Sequence, residues 1–450
     1  MADSKKFSTD FTEGSVPRQL IKFAIPLYLS NILQIVYNVV DMVIVGQVLG
    51  SVGLSAVAIG GDVTIFLTFF SMGFTGAGQV IIAQLLGAKN SHALGKFIGN
   101  MSTFLFAGAL ILSVIFLNLR EEVLELMNTP PESFAEALSY ATVTIGGIIF
   151  IYGYNAVSSI LRGLGDSKHP FIFISIAAAL NVLLDVVFVI FLEMGAKGAA
   201  LATVISQGTS FVTCVIFLYR RRADLGFEIS AKDFYTPDKE LLTRFIKLGL
   251  PMAIKSASIH ISKIFVSAWI NSFGVTVSAF AGVANKINSV AMLMANALTM
   301  AGSSMVGQNI GAKKFERVTK ILQVMFSITL TISSLMSVAI YIFPAEIFGV
   351  FTDDEKVIAV GMEYLPIAVL MFFGSACRSP MGALINGSGN TAANFLTALF
   401  DGIILRIGLS IFFGLSLEMG YLGFWLGDAL AGFTPLVIGA VLYFSGKWKV

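Results

Sequence analysis

Charge is scarce in this sequence. Of its 450 residues only 12% are Asp, Glu, Lys or Arg, about half the share found in soluble globular chains. Cysteine is rarer still: Cys214 and Cys377 are the only two, they fall in different predicted spans, and a disulfide framework is not suggested. No GxxxxGK[ST] loop occurs, which argues against transport driven by a nucleotide bound to this chain. Strand-type alternation is absent as well, so a membrane barrel is not expected. The opening MADSKKFSTDFTEGSVPRQL is polar and lacks an apolar core with a small-residue cleavage site, so no removable signal peptide is expected. A net charge of +2 gives no reason to look for a nucleic-acid partner; its distribution is more informative than its size.

Long apolar runs are what the chain has in abundance. Hydrophobic residues make up 56% of it, and runs of about 20 residues, the length that crosses a ~30 Å hydrocarbon layer as a helix, recur from end to end. Twelve spans are predicted, at 18–47, 54–86, 93–118, 134–161, 169–192, 197–219, 241–272, 276–308, 316–345, 357–386, 392–415 and 420–445. The expected fold class is an all-α polytopic membrane protein in contact with membrane lipids. With the N-terminus in the cytoplasm, 21 of the 29 Lys and Arg residues fall on that side, among them Lys5, Lys6, Arg18 and Lys22; three fall outside and five within spans. The positive-inside rule therefore puts both termini in the cytoplasm of a cell-membrane protein.

The sequence repeats at an offset of half its length. LIKFAIP (20–26) returns as FIKLGLP (245–251), LLGAKN (85–90) as NIGAKK (309–314), LRGLGD (161–166) as INGSGN (385–390) and FLEMG (191–195) as SLEMG (416–420). Six spans per half is an even number, so both halves enter from the same side and form parallel repeats, a duplication that transporters use. The expected organisation is an N-lobe over 1–218, a cytoplasmic connector over 219–240 and a C-lobe over 241–450, each lobe a six-helix bundle. Pro26 and Pro251 lie about one turn inside spans 1 and 7; each removes a backbone bond and permits a bend, which makes Pro26 a candidate gate.

Against this repeat, Asp41 stands out. Its counterpart in the second half is Val266, so the fold does not require an acid there. Asn31, Gln34, Asn38 and Asp41 fall on one stripe of span 1, with Tyr37 beside it. Span 5 carries Asn181 and Asp185 one helical turn apart, span 6 carries Thr203, Ser206 and Gln207, and span 4 offers Asn155. An acid at mid-membrane depth is costly and is a functional candidate by default. Two of them among amide and hydroxyl oxygens suit either a shared proton, the pair titrating as a unit, or sodium, which accepts neutral oxygen ligands. The second half differs: Lys255 and Lys263 lie on span 7, Asn285 and Lys286 on span 8 with Met292 nearby, and Arg406 is placed to pair with Asp401 or Asp428.

The order PLYLSNILQIVYNVVDMVIVGQVLG, QLLGAKN, ILRGLGDSKHP, ALNVLLD, GAKGAALATVISQ, with its echo in the second half, resembles the multidrug and toxic compound extrusion (MATE) transporters over nearly the whole chain. That resemblance implies twelve helices in two pseudo-symmetric six-helix lobes and export of organic cations and drugs against inward proton or sodium movement, with no cofactor. By analogy with DinF-like members it assigns ion coupling to Asp41, Asn181, Asp185 and Thr203, which are also the sodium candidates. Gln34, Tyr37, Asn38, Asn155, Lys255, Asn285 and Met292 are the candidate substrate-cavity residues, and a monomer is expected. NorM-like members also use second-half acids; here span 7 has lysines and span 10 only Glu363.

Two other readings compete. A flippase for lipid-linked oligosaccharides shares the superfamily architecture, and Lys255, Lys263, Lys286 and Arg378 could meet its pyrophosphate headgroup. An intramembrane aspartyl protease is raised by GLGD at 163–166, yet the repeat partner GSGN lacks the acid, and the SKHP that follows marks a cytoplasmic turn.

Overall fold

The computed structural model describes residues 9–221, 224 and 227–449; Lys5, Lys6 and part of the 219–240 connector lie outside the described residues. Nine of the described helices are long and apolar enough to cross a membrane, or ten with the bent pair Pro131–Gly146 and Ile148–Gly163. The first of them, Val16–Gly87, is 72 residues long and is broken at Gly50, whose φ of 64° and ψ of −155° no helix contains, so it supplies spans 1 and 2. Lys239–Asn271 completes the set of twelve as span 7: 33 residues, with Lys255, His260 and Lys263 in its interior. Span 4, expected as one rod, bends by 46°. The break falls at Gly147, where a Cβ would come within 2.4 Å of Val204 on span 6.

The repeat is written in the backbone. Residues of positive φ recur in pairs: Gly50 and Gly274 (64° and 108°), Lys89 and Lys313 (54° and 57°), Gly165 and Gly389 (85° and 68°), Glu193 and Glu418 (49° and 54°), Gly195 and Gly420 (64° and 60°). The first three pairs share one separation and the last two are a single position further apart, so the second half gains one residue between Gly389 and Glu418. A π-helical turn at Phe400–Ile404 in span 11 accounts for it, since such a turn is what one inserted residue makes of an α-helix; the matching stretch of span 5 lies within the regular helix Lys168–Asp185. In the GAK motifs the helices end on Gly87 and Gly311, but Lys89 and Lys313 take the left-handed conformation that ends such helices.

The chain packs as two compact units. The first comprises Ile25–Gly249 with the segment ending at Asp10; the second comprises Leu250–Val450 with Phe11–Ala24. The divisions fall one residue ahead of Pro26 and Pro251, where a helix lacks one backbone bond.

In the first unit, buried Val45, Leu67, Tyr140, Ile145, Tyr152 and Val189 form a continuous core. The end of the connector is tied to span 3. The Asn100 amide donates to the carbonyls of Asp233 (2.7 Å) and Thr236 (3.2 Å) and accepts from the Asp238 N–H (2.6 Å). Gly99 admits this approach, since a Cβ there would lie 2.7 Å from Asp233. Lys96 pairs with Asp238 at 3.0 Å. The Leu241 N–H, helped by Lys96, holds the Asp238 carboxyl below its ordinary value.

In the second unit, Phe280, Phe348, Tyr364, Phe424 and Trp425 make an aromatic core. The early segment Phe11–Ala24 is anchored there through Phe11, which is buried. Its N–H donates to Gln308 Oε1 (3.0 Å), and its carbonyl accepts from Asn309 Nδ2 (3.1 Å) and Arg317 Nε (2.8 Å).

Candidate functional site

The first unit buries two acids against each other. Asp41 is 8% exposed and Asp185 not at all, and the two carboxyl groups lie within electrostatic reach of each other. Local structure explains the placement. Asp185 is the final residue of a regular helix that opens into the π-helical turn Val186–Phe191, and Asn181, one turn earlier, shares its face. Tyr37 is within electrostatic reach of Asp41 and within hydrogen-bonding reach of Gln207. Tyr140 is within reach of Thr203 and within electrostatic reach of Asp41, Asp185 and Tyr37.

The polar atoms at the centre are unmatched. Among the described residues, Asp41 Oδ1, both Asp185 oxygens, both polar atoms of the Asn181 amide and Ser206 Oγ have no hydrogen-bond partner. Ionised carboxylates only accept, and two of them together repel unless something positive intervenes. A buried acceptor left without a donor costs about 1–3 kcal/mol, more when charged. The arrangement is complete with a proton shared between the carboxyls, or with a small monovalent cation taking oxygens from Asp41, Asp185, Asn181 and a neighbouring hydroxyl. Among the described residues no three His, Cys, Asp or Glu side chains gather as they would around a multivalent metal.

Other candidates fall elsewhere in the first unit. Gln34 is half-buried and Asn38 exposed on the stripe leading to Asp41. The Asn155 amide donates to Ser71 Oγ at 3.4 Å, a bond between helices. The Pro26 carbonyl accepts from Ser30 Oγ at 2.8 Å. Asp166 of GLGD has both oxygens engaged, one with the backbone N–H groups of Lys168 and His169, the other with the His169 ring, so it caps the start of span 5. Tyr140 was not among the residues the sequence singled out. A hint lay in Gly60, where a Cβ would stand 2.6 Å from the Tyr140 ring, but a glycine on span 2 does not announce a tyrosine on span 4.

The sequence profile of the MatE family matches residues 26–187 and again 251–432. The chain belongs to the MatE family. The two matched blocks start at Pro26 and Pro251, the same register as the internal repeat. Among relatives, the chain is 30% identical to the probable multidrug resistance protein YoeA of Bacillus subtilis (strain 168), covering 97% of this chain and 95% of that one. It is 20% identical to the multidrug export protein MepA of Staphylococcus saprophyticus, over 90% and 89% of the two chains. Its fold superposes on the outward-facing structure of a multidrug resistance MATE family transporter with a TM-score of 0.87, 21% identity and 97% coverage of both chains.

Within this MatE chain the second unit carries a different set of charges. Arg378 grips Asp401 through both oxygens, at 2.6 and 2.9 Å. Arg406, 3% exposed, reaches Asp401 Oδ1 at 2.8 Å and also pairs with Asp428, so both of the pairings foreseen for it occur. Lys255 Nζ donates to the amide oxygens of Asn386 (2.9 Å) and Asn394 (3.2 Å), and Lys263 Nζ to Met292 Sδ (3.2 Å). Asn285 is exposed on span 8, its carbonyl accepting from Ser289.

Proposed function

We propose that this MatE chain is a secondary active transporter that exports organic cations and drugs in exchange for protons or sodium, from the DinF-like branch, in the cell membrane with both termini cytoplasmic. The observation that carries the reading is the buried Asp41–Asp185 pair with its unmatched oxygens and the Asn181 amide beside it. A cationic drug is favoured while the pair is negative. Arrival of a proton or sodium cancels that charge, and the drug loses its electrostatic partner. For exchange to follow, ion and drug must each bind one conformation better than the other, because a ligand with equal affinity for both shifts nothing.

Pro26 and Pro251 are the bending points in this reading. Each sits where the chain crosses from one compact unit to the other, and each lacks the N–H that would stiffen its helix. Thr203, Tyr37 and Tyr140 orient the acids and supply hydroxyls; Gln34 and Asn38 line the drug's route towards them. The test is drug resistance in an efflux-deficient host. Wild type raises resistance to lipophilic cations, Asp41→Asn and Asp185→Asn do not, and all three accumulate equally in the membrane. Unaltered resistance in both variants would refute the reading.

A further inference from the structure

The starts of spans 1 and 7 are exchanged between the two halves of the sequence. Span 7 opens the second half, yet its residues up to Gly249 belong to the first unit; span 1 opens the first half, yet Phe11–Ala24 belongs to the second. The exchange follows the repeat. Leu20 and Phe23 of span 1 are matched at an offset of 225 by Phe245 and Leu248 of span 7. All four are buried, each pair in the unit built mainly from the other half, and each pair lies on one helix face just ahead of a proline, Pro26 or Pro251.

The two seats use equivalent positions. In the first unit the fully buried Phe245 ring meets Phe74, Phe97 and Phe104 edge-on, at centroid distances of 5.3, 5.5 and 5.4 Å, a geometry that aromatic rings favour. Gly249 lies so close to Phe74 that a Cβ would stand 2.4 Å from the ring, and the Arg244 guanidinium donates to Gln84 Oε1. In the second unit Phe11, 1% exposed, donates its N–H to Gln308 Oε1, and Gln308 is the repeat counterpart of Gln84 at an offset of 224. Arg317 Nη2 donates to the Glu13 carbonyl (2.7 Å) and to Gln19 Oε1 (3.0 Å), and Lys314 Nζ to the Thr12 carbonyl (3.0 Å). The approach to span 7 is held on the first unit as well: besides the bonds of Asn100 to Asp233, Thr236 and Asp238, Thr103 Oγ1 donates to the Phe234 carbonyl at 2.7 Å. Span 7 therefore keeps its place by contacts that begin after the connector's first residues, and the peptide bonds next to Arg221 carry none of them.

We propose that this exchange is the clasp that joins the two halves of the sequence. A seat at the end of span 2 takes the start of span 7, a seat at the end of span 8 takes the start of span 1, and the covalent link beside Arg221 is dispensable for their association. The partner each seat fits is a helix start with two apolar side chains three residues apart, followed three residues later by proline, as in LIKFAIP and FIKLGLP. Those two copies of the repeat are thus the exchanged parts, each read by the half in which it does not begin. The clasp does not depend on the transport reading, because association needs neither drug nor gradient.

Cutting the full chain tests it. A site for a sequence-specific protease is inserted after Arg221, an affinity tag is placed at the N-terminus, and the folded protein is cut in an uncharged maltoside detergent. The tagged half is expected to retain the other in equal amount through washing and gel filtration. In the double variant Phe11→Ala, Phe245→Ala the uncut chain elutes as one species, but after cutting the halves separate, their dissociation constant raised on the order of a hundredfold for each ring lost. If the double variant yields no folded protein, Phe245→Ala and Gln84→Ala, each of which keeps the second seat, give the comparison as faster release of the untagged half. Asp41→Asn, which removes export under the transport reading, retains the untagged half as wild type does, so a failure of that reading and a failure of the clasp are told apart. Loss of the untagged half from cut wild type, or retention that none of the seat variants weakens, overturns the proposal.

Discussion

Where the first half of the chain has Asn181, the second has Arg406; in the same register Asp185 is matched by Ser410, Thr203 by Asp428 and Asp41 by Val266. The backbone around these positions is repeated down to its positive-φ residues, but the charge is not. In the second half a guanidinium stands in the equivalent place and pairs with Asp401 and Asp428, so both acids have their counter-charge within the protein. In the first half two carboxylates lie close together with no Lys or Arg at ion-pair distance among the described residues, and three of their four oxygens are unmatched there. The duplicated scaffold accepts either solution. Its requirement is charge balance, and under the proposed function the first half takes the balancing charge from outside.

The sharpest way to break this contrast is to remove the acid on one side and the base on the other. Asp41→Asn takes away the charge that the account says is exchanged. Gradient-driven efflux is expected to fall to the vesicle background while thermal unfolding in detergent stays the same or rises, because no ion pair within the protein is lost. Arg406→Ala should behave in the opposite way. It leaves Asp428 without its cation and Asp401 with Arg378 alone, and breaking a buried pair by removing one partner costs about 3–5 kcal/mol, to be seen as a large drop in melting temperature and membrane yield. If Asp41→Asn were the destabilised variant and Arg406→Ala the stable, inactive one, the contrast would be reversed.

Features shared by the halves should respond alike. Gly50 and Gly274 occupy a region of φ and ψ open essentially to glycine alone. Alanine at either should cost about 1–3 kcal/mol through backbone strain, since a Cβ at either position meets nothing within 4 Å. Comparable melting shifts for the two variants would support a common backbone, whereas a loss in one half alone would argue against it. The smallest effect is expected at Asp238, which pairs with Lys96 at 3.0 Å on a partly exposed surface. Asp238→Asn should cost no more than about 1 kcal/mol. Because the folded carboxyl is held below its ordinary value, the wild-type advantage is present above the unfolded pKa of ~3.9 and fades as pH falls through the folded value. A pH series of melting curves for the two proteins checks this.

Much of this architecture was legible in the residues. Span number, parallel duplication and the acid pair follow from apolar run length, from four motif matches in register and from the cost of a carboxylate in hydrocarbon. The motif offsets, 225, 224, 224 and 225 in chain order, carry two one-position slips, but the cause of the later one, the π-helical turn that carries Asp401, is a backbone event with no residue signature of its own. Tyr140 escaped notice because its role comes from packing beside Gly60 and Thr203, which no spacing on span 4 encodes. The acceptors of Lys255, Asn386 and Asn394, lie on spans 10 and 11, far along the chain, so the lysine was readable and its setting was not. Likewise, Phe11–Ala24 precedes the first half in sequence yet packs in the second unit, since Phe11 finds Gln308, Asn309 and Arg317 there.

The central claim is that the Asp41–Asp185 pair holds a small cation that an organic cation displaces. It is tested most directly by adding tetraphenylphosphonium to the purified protein in weakly buffered solution and following proton release with a pH indicator and sodium release with a sodium electrode. Wild type should release one of the two ions in proportion to bound drug, and Asp41→Asn should release neither. Equal release from the two proteins, or drug binding to wild type with no ion released, would contradict it.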